Sequence, residues 1–319
     1  MGYEMERNFF VDALKVFLAL MVVAIHCGFL KESPLLGFLT TQGIFRIAVP
    51  IFFVINGYYF GSVKNTESLF TWLKKVLRLY LFWGTVYASF WFHLDDLSIT
   101  QFLTLVKEVI FGYFHLWYLP GMIGAGLLTF LFRERVKLGS YIATVCFFVG
   151  VVIQYSANYY DFESDIMNQV AAQTFTHRNF LFLGFPFFYF GFVLTNLRLH
   201  ILTKNTVVIA AAGATLLMIE SYLNFSQDSH NAFDNYFSLI FVCPTLFLFF
   251  LKRNIKKGNK YIALTSTGIY FTHPLFLLVL VKLGFDTGTI FTLLVLALSL
   301  SSTFFLIMMK EKFKINFIL

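Results

Sequence analysis

The sequence predicts an all-α, polytopic membrane protein: one domain over residues 1–319, about ten transmembrane helices, and both termini in the cytoplasm. Composition is the first reason. Of 319 residues, 58% are hydrophobic and 13% are charged, with a mean hydropathy of +0.74. A soluble domain carries about 25% charged residues, so this chain cannot cover a globule with polar groups. It is far too apolar for a disordered chain. The other two reasons are the lengths of the apolar runs and the distribution of charge between them.

Crossing hydrocarbon takes about 20 apolar residues. Ten runs qualify or come close, at 9–30, 44–61, 78–93, 109–132, 140–156, 178–196, 205–224, 236–251, 261–282 and 288–309. Each is expected to be a helix, because the bilayer gives backbone groups no other local partner. The longest gap, 157–177, reads as a loop. Asp12 and Lys15 inside the first run argue against a signal peptide. Cys27, Cys146 and Cys243 show no spacing for a disulfide framework or a metal site.

Basic residues alternate across these runs. One set of connections holds Arg7, Lys64, Lys74, Lys75, Arg133, Arg135, Lys137, Arg198, Lys204, Lys252, Arg253, Lys256, Lys257, Lys260, Lys310, Lys312 and Lys314. The opposite set holds only Lys31 and Lys107, with Glu32, Asp95, Asp96, Glu108, Asp161, Glu163, Asp165, Asp228, Asp234 and Asp286. The positive-inside rule then places both termini in the cytoplasm. It also accounts for the net charge of +7 without any nucleic-acid partner.

Seven ionisable residues fall within or beside the runs: Asp12, Lys15, Arg46, Arg78, Arg178, Glu220 and Lys282. Each costs at least about 2.5–3.5 kcal/mol at a span centre, so it needs a partner, a cavity or a task. Arg78 and Lys282 can snorkel from helix ends. Lys15 and His26 are eleven residues apart, which is three turns plus about 20°, so they share a face about 16 Å apart. Asp12 can pair with Lys15, and His26 can simply hydrogen-bond within the bundle. The alternative gives these residues work. Lys15, Lys75 and Arg78 form an inner positive pole suited to a phosphate-bearing donor. His26, Arg46, Arg178 and Glu220, with His115, Trp117 and Tyr118, gather toward the outer half, where proton transfer at a hydroxyl suits histidine, and His273 falls near mid-span. Trp117 and Tyr118 also fit plain interfacial aromatics.

Several segments together resemble the acyltransferase-3 family of integral-membrane acyltransferases. They are Asp12-Ala-Leu-Lys15 leading to His26, Arg46-Ile-Ala-Val-Pro-Ile-Phe-Phe-Val-Ile-Asn-Gly-Tyr-Tyr, Lys75-x-x-Arg78, His115-Leu-Trp117, Arg178-Asn-Phe-Leu-Phe-Leu-Gly and Ser266-Thr-Gly-Ile-Tyr-Phe-Thr-His273-Pro. They occur in family order over nearly the whole chain. The family often has Arg where Lys15 stands, and Ser where Asn56 stands.

The resemblance implies an O-acyltransferase of the bacterial cytoplasmic (inner) membrane. Its donor would be acetyl-CoA or another acyl-CoA, with no metal. Its acceptor would be a sugar hydroxyl of a lipid-linked or polymeric surface glycan, such as O-antigen lipopolysaccharide or enterobacterial common antigen. In that role Lys15, Lys75 and Arg78 hold the CoA phosphates, and His26 is general base or an acyl-carrying imidazole. Arg46 or Arg178 stabilises the oxyanion or orients the sugar, and Glu220 orients His26 or binds hydroxyls. His115, Trp117, Tyr118 and His273 line the acceptor side. The competing expectation is a transporter or flippase for a lipid-linked glycan, although no internal repeat of the kind such proteins often carry is visible.

Overall fold

A computed structural model describes residues 8–92, 98–196, 205–227, 233–253, 258–315 and 318–319. The charges at Arg7, Asp95, Asp96, Arg198, Lys204, Asp228, Lys256 and Lys257 lie outside them. Among the described residues the chain is helical and contains no strand. Seven helical stretches are long and apolar enough to cross a membrane, and two shorter apolar ones accompany them.

The first helix, α1 (Phe9–Cys27), starts where the Asn8 side chain accepts from the Phe10 and Val11 amides, and ends at Gly28 in the left-handed region. The short α2 (Pro34–Gly37) runs into a π-helical turn at Phe38–Gly43, a 3-10 turn at Ile44–Ile47, and then α3 (Ala48–Phe60). The expected span 44–61 is therefore the last part of a longer, broken helix.

The third run is displaced. Helix α4 (Thr66–Val86) begins twelve residues before 78, under an Asn65–Ser68 capping box, and is followed by the single turn α5 (Ala88–Trp91). Lys74 and Lys75, expected in a connection, are helical. A cap and an amphipathic face extend this helix past its apolar stretch, which hydropathy alone does not reveal.

The fourth run is split. Helix α6 (Ile99–Phe111) stops at Gly112, φ 88°, and a 3-10 turn, Phe114–Trp117, leads into α7 (Tyr118–Phe132). Gly112 supplies the positive φ that breaks 109–132, and Phe114 is also left-handed, φ 49°. Helix α8 (Val136–Tyr159) follows. The interval read as loop then holds α9 (Asp165–Ala171) and one 3-10 turn. A π-helical turn, Phe180–Gly184, opens α10 (Phe185–Asn196). The remaining helices are α11 (Thr206–Phe225), α12 (Leu239–Leu251), α13 (Lys260–Lys282) and α14 (Thr289–Phe313).

Helices α3 and α10 pack closest. A Cβ on Gly57 would meet the Phe188 carbonyl oxygen at 1.8 Å, and one on Gly191 the Val54 carbonyl oxygen at 2.0 Å. Two glycines thus let the backbones touch, as small residues do between membrane helices. Around this pair stand α1, α7, α8 and α12, with α13 packed on α1, while α8, α11 and α14 turn most of their surface outward. That outer surface is apolar: Leu131, Val208, Ile290 and Phe304 are all more than 60% exposed. Such a surface belongs in lipid.

Beyond the end of α1, the Glu32 carboxylate accepts from the Thr289 amide (2.8 Å) and hydroxyl (2.7 Å). These bonds hold the acid below the usual carboxylate range and fasten α1 to the start of α14.

Candidate functional site

The two marker residues of α1 have different surroundings. Lys15 lines a cavity of about 210 Å³ with Asn56, Leu79, Tyr118, Ser266 and Tyr270. Its ammonium lies 3.1 Å from Asp12 Oδ1 and 5.1 Å from the Tyr59 ring centroid. The expected Asp12–Lys15 pair is thus formed. The Ser266 hydroxyl donates to the Lys15 carbonyl at 2.8 Å and ties α13 to α1 at this level. The cavity is smaller than the roughly 300–1,000 Å³ of most small-molecule sites, so it fits the end of a long ligand.

The second space is an open vestibule of about 320 Å³ between α6, the Phe114–Trp117 turn and residues 173–180. Its walls include Lys107, Phe111, Phe114, Trp117, Phe175 and Arg178. Trp117 and Tyr118, adjacent in sequence, line opposite spaces. The Arg178 guanidinium lies 5.2 Å from the Trp117 ring centroid.

Two tyrosines of the Lys15 cavity stand side by side. The Tyr118 and Tyr270 rings are 5.8 Å apart. Asn56 donates to the Tyr118 hydroxyl at 2.6 Å, and the Tyr270 hydroxyl donates to the His115 carbonyl at 2.6 Å. Behind these tyrosines three imidazoles gather. His26 stacks on His273 at 5.6 Å, and His115 meets His273 edge-on at 5.7 Å. His26 also packs on Phe114, at 4.8 Å, and so adjoins the vestibule wall. Losing the Asn56 amide would strand a buried hydroxyl, which costs about 1–3 kcal/mol. Asn56→Ala is expected to lower thermal stability in detergent by that amount. Adding Tyr118→Phe should cost little more, because the two act as one unit.

A second polar group centres on Asp234. Asp234 Oδ1 is 2.6 Å from Arg46 Nη1, and its Oδ2 is 3.5 Å from Arg178 Nη1 and 3.9 Å from His177 Nε2. Arg46 further donates to the Thr41 carbonyl (3.0 Å) and to the Gln42 side chain. The loop carrying Asp234 is held by Gln154, whose Oε1 accepts from the Asp234 and Asn235 amides at 2.7 and 2.8 Å. Burial pushes the Asp234 carboxyl up, but Arg178, Arg46 and His177 outweigh it and hold it below its ordinary value. His273, Arg178, Arg46 and Asp234 act on the His26 ring, and His26 and His115 act on each other.

Glu220 has a different setting. Its carboxylate accepts from the Tyr155 hydroxyl (2.7 Å), the Phe237 and Ser238 amides (2.7 and 3.1 Å) and the Ser238 hydroxyl (2.8 Å). It anchors the entrance to α12 and is not among the groups acting on His26. Lys75 and Arg78 are exposed on α4. Lys75 borders an open cleft of about 440 Å³ beside Asn65 and Trp72. Leu79, one turn above Lys75 on the same face, reaches the Lys15 cavity.

The acyltransferase domain of the acyltransferase-3 type matches residues 8–309. The chain belongs to the acyltransferase-3 family. The resemblance of its motifs is thereby confirmed over nearly its full length.

Curated relatives of this acyltransferase-3 chain match in part. An amino-acid racemase of Enterococcus faecalis is 34% identical over 154 residues, covering 44% of this chain and 22% of that protein. A serine/alanine racemase of Enterococcus gallinarum is 32% identical over 162 residues, covering 46% and 23%. The chain thus spans less than a quarter of these relatives' length. No solved structure matches.

Sequence reasoning missed Asp234, Gln154, His177 and Tyr270 as members of the site. Asp234 was counted only as one more acid of the outer connections. It lies 188 residues from Arg46, so no local spacing joins them. Tyr270 stood inside the Ser266–Pro274 motif, where its relation to His273 was legible from the i,i+3 spacing.

Proposed function

We propose that this acyltransferase-3 protein moves an acyl group, most simply acetyl, from cytoplasmic acyl-CoA to a sugar hydroxyl of a surface glycan at a bacterial cytoplasmic membrane. One observation carries this reading. A single helix carries, near one end, a cation that lines a cavity and, near the other, an imidazole that packs on Phe114 of the vestibule wall. The cavity takes the thioester end of the donor past Lys15, with Lys75 and Arg78 nearer the CoA phosphates. The vestibule, with its aromatic walls and Arg178, takes the sugar.

In this reading His26 removes the hydroxyl proton, and the oxygen attacks the thioester carbonyl. Arg46 and Arg178, held in place by Asp234, face the negative charge that develops there. Glu220 serves by anchoring α12. The tyrosine layer opens for each transfer. The racemase names describe proteins that lie mostly outside the match, and no racemase chemistry is proposed here.

The test uses membranes containing the chain, radiolabelled acetyl-CoA and glycan extracted from a deletion strain. Label is expected in the glycan. A flippase leaves it unlabelled. Lys15→Ala should raise the KM for donor about tenfold, whereas Lys15→Arg stays near wild type because charge is what Lys15 supplies. Equal donor binding by both variants removes Lys15 from the donor site.

A further inference from the structure

We infer that His273 is a second catalytic imidazole, the group that delivers the acceptor's proton to the leaving thiolate. The inference rests on acyl transfer from a thioester as proposed above.

The chemistry requires such a group. A C–O bond forms, a C–S bond breaks, and the hydroxyl proton must end on sulfur. His26 adjoins the vestibule through Phe114, whereas sulfur departs on the cavity side of the tyrosine layer. His273 stands between them. Its ring stacks on His26 at 5.6 Å and lies 6.2 Å from Tyr270, which lines the Lys15 cavity.

The fold also fixes which nitrogen of His273 can act. Nδ1 lies 3.0 Å from the Ile269 carbonyl oxygen. A carbonyl only accepts, so Nδ1 carries the hydrogen and Nε2 is the bare acceptor. One turn of α13 is open beside it: Pro274 has no N–H, so the Tyr270 carbonyl lacks its i−4 helical donor. His273 is fully buried, yet Nε2 has no hydrogen-bond partner. A histidine kept only for packing normally satisfies both nitrogens. The three imidazoles do not converge as metal ligands do. An orphan acceptor beside His26 is where a proton can be parked. The proton passes from oxygen to His26, then to His273 Nε2, then to sulfur, and both imidazoles return to neutral. A single bridging water or one change of the half-buried His26 rotamer closes the gap between rings.

The experiment compares two donors, acetyl-CoA and acetyl-seleno-CoA, with the extracted glycan as acceptor. A selenolate leaves without a proton. His273→Asn keeps an amide N–H for the Ile269 carbonyl but has no titratable nitrogen. It should be about 100-fold slower than wild type with the thioester, as expected for loss of general acid catalysis, and within a few-fold of wild type with the selenoester. His26→Ala should be inactive with both. His273→Gln, run in parallel, gives the same donor ratio if the Asn variant fails to accumulate. Equal slowing on both donors, or no slowing on either, overturns the role of His273. A wild-type protein that transfers from neither donor overturns the acyl-transfer reading itself.

Discussion

Replacing His26 with alanine is expected to abolish acylation of the glycan while leaving the protein's abundance in the membrane unchanged. The side chain is half-buried at the last turn of α1 and makes ring contacts with Phe114 and His273, so truncation removes little of the core. What it removes is the imidazole that packs on Phe114 of the vestibule wall. General base catalysis contributes about 10²- to 10⁴-fold, enough to bring glycan acylation below detection by NMR of the O-acetyl signal. Full activity in His26→Ala removes this residue from the mechanism. His26→Gln gives the finer comparison, because it keeps size and polarity but cannot take a proton.

The second large effect belongs to Asp234. Asp234→Ala leaves Arg46 buried without its counter-charge, and removing one partner of a buried pair costs about 3–5 kcal/mol. A pronounced fall in thermal midpoint in detergent is expected, together with loss of transfer, since Arg46 and Arg178 are both released. Asp234→Asn separates the two consequences. It keeps the shape and one hydrogen bond to Arg46, so it should fold better than the alanine variant while still losing activity. The pH dependence follows from the depressed carboxyl. Its folded value lies below the unfolded value of about 3.9, so its contribution is complete above that value and disappears as pH falls through the folded one. Wild type should therefore lose stability faster than Asp234→Asn on acidification below about pH 4. Parallel curves for the two proteins would show that Asp234 carries no such charge-dependent role.

Much of the bundle was legible because hydrocarbon tolerates few alternatives. Apolar length located α1, α7, α8, α11, α13 and α14 to within several residues, apart from the α6 segment joined to α7. Hydropathy failed where helices leave the apolar zone or change their winding. Asn65 starts α4 well before its apolar stretch, and Gly112 and Phe114 break what reads as one run. The π and 3-10 turns around Gln42, Arg46, His115 and Asn179 carry no periodic signal, yet they aim most of the site. The shared face of Lys15 and His26 was computable from helix geometry alone. The partners of Arg46 were not, because they come from loops that only the tertiary fold brings near. Transfer across the membrane asks for a continuous hydrated passage from Lys15 to His26, and neither space joins them: Lys15 lines the one bordered by Tyr118 and Tyr270, and His26 reaches the one bordered by Phe114 and Trp117 only through its packing on Phe114.

The two-tyrosine wall has a physiological consequence. A bilayer storing an electrochemical gradient is discharged by any standing column of water through it. Latched by Asn56 and the His115 carbonyl, the paired phenol rings occupy the space that such a column would need at this level of the bundle.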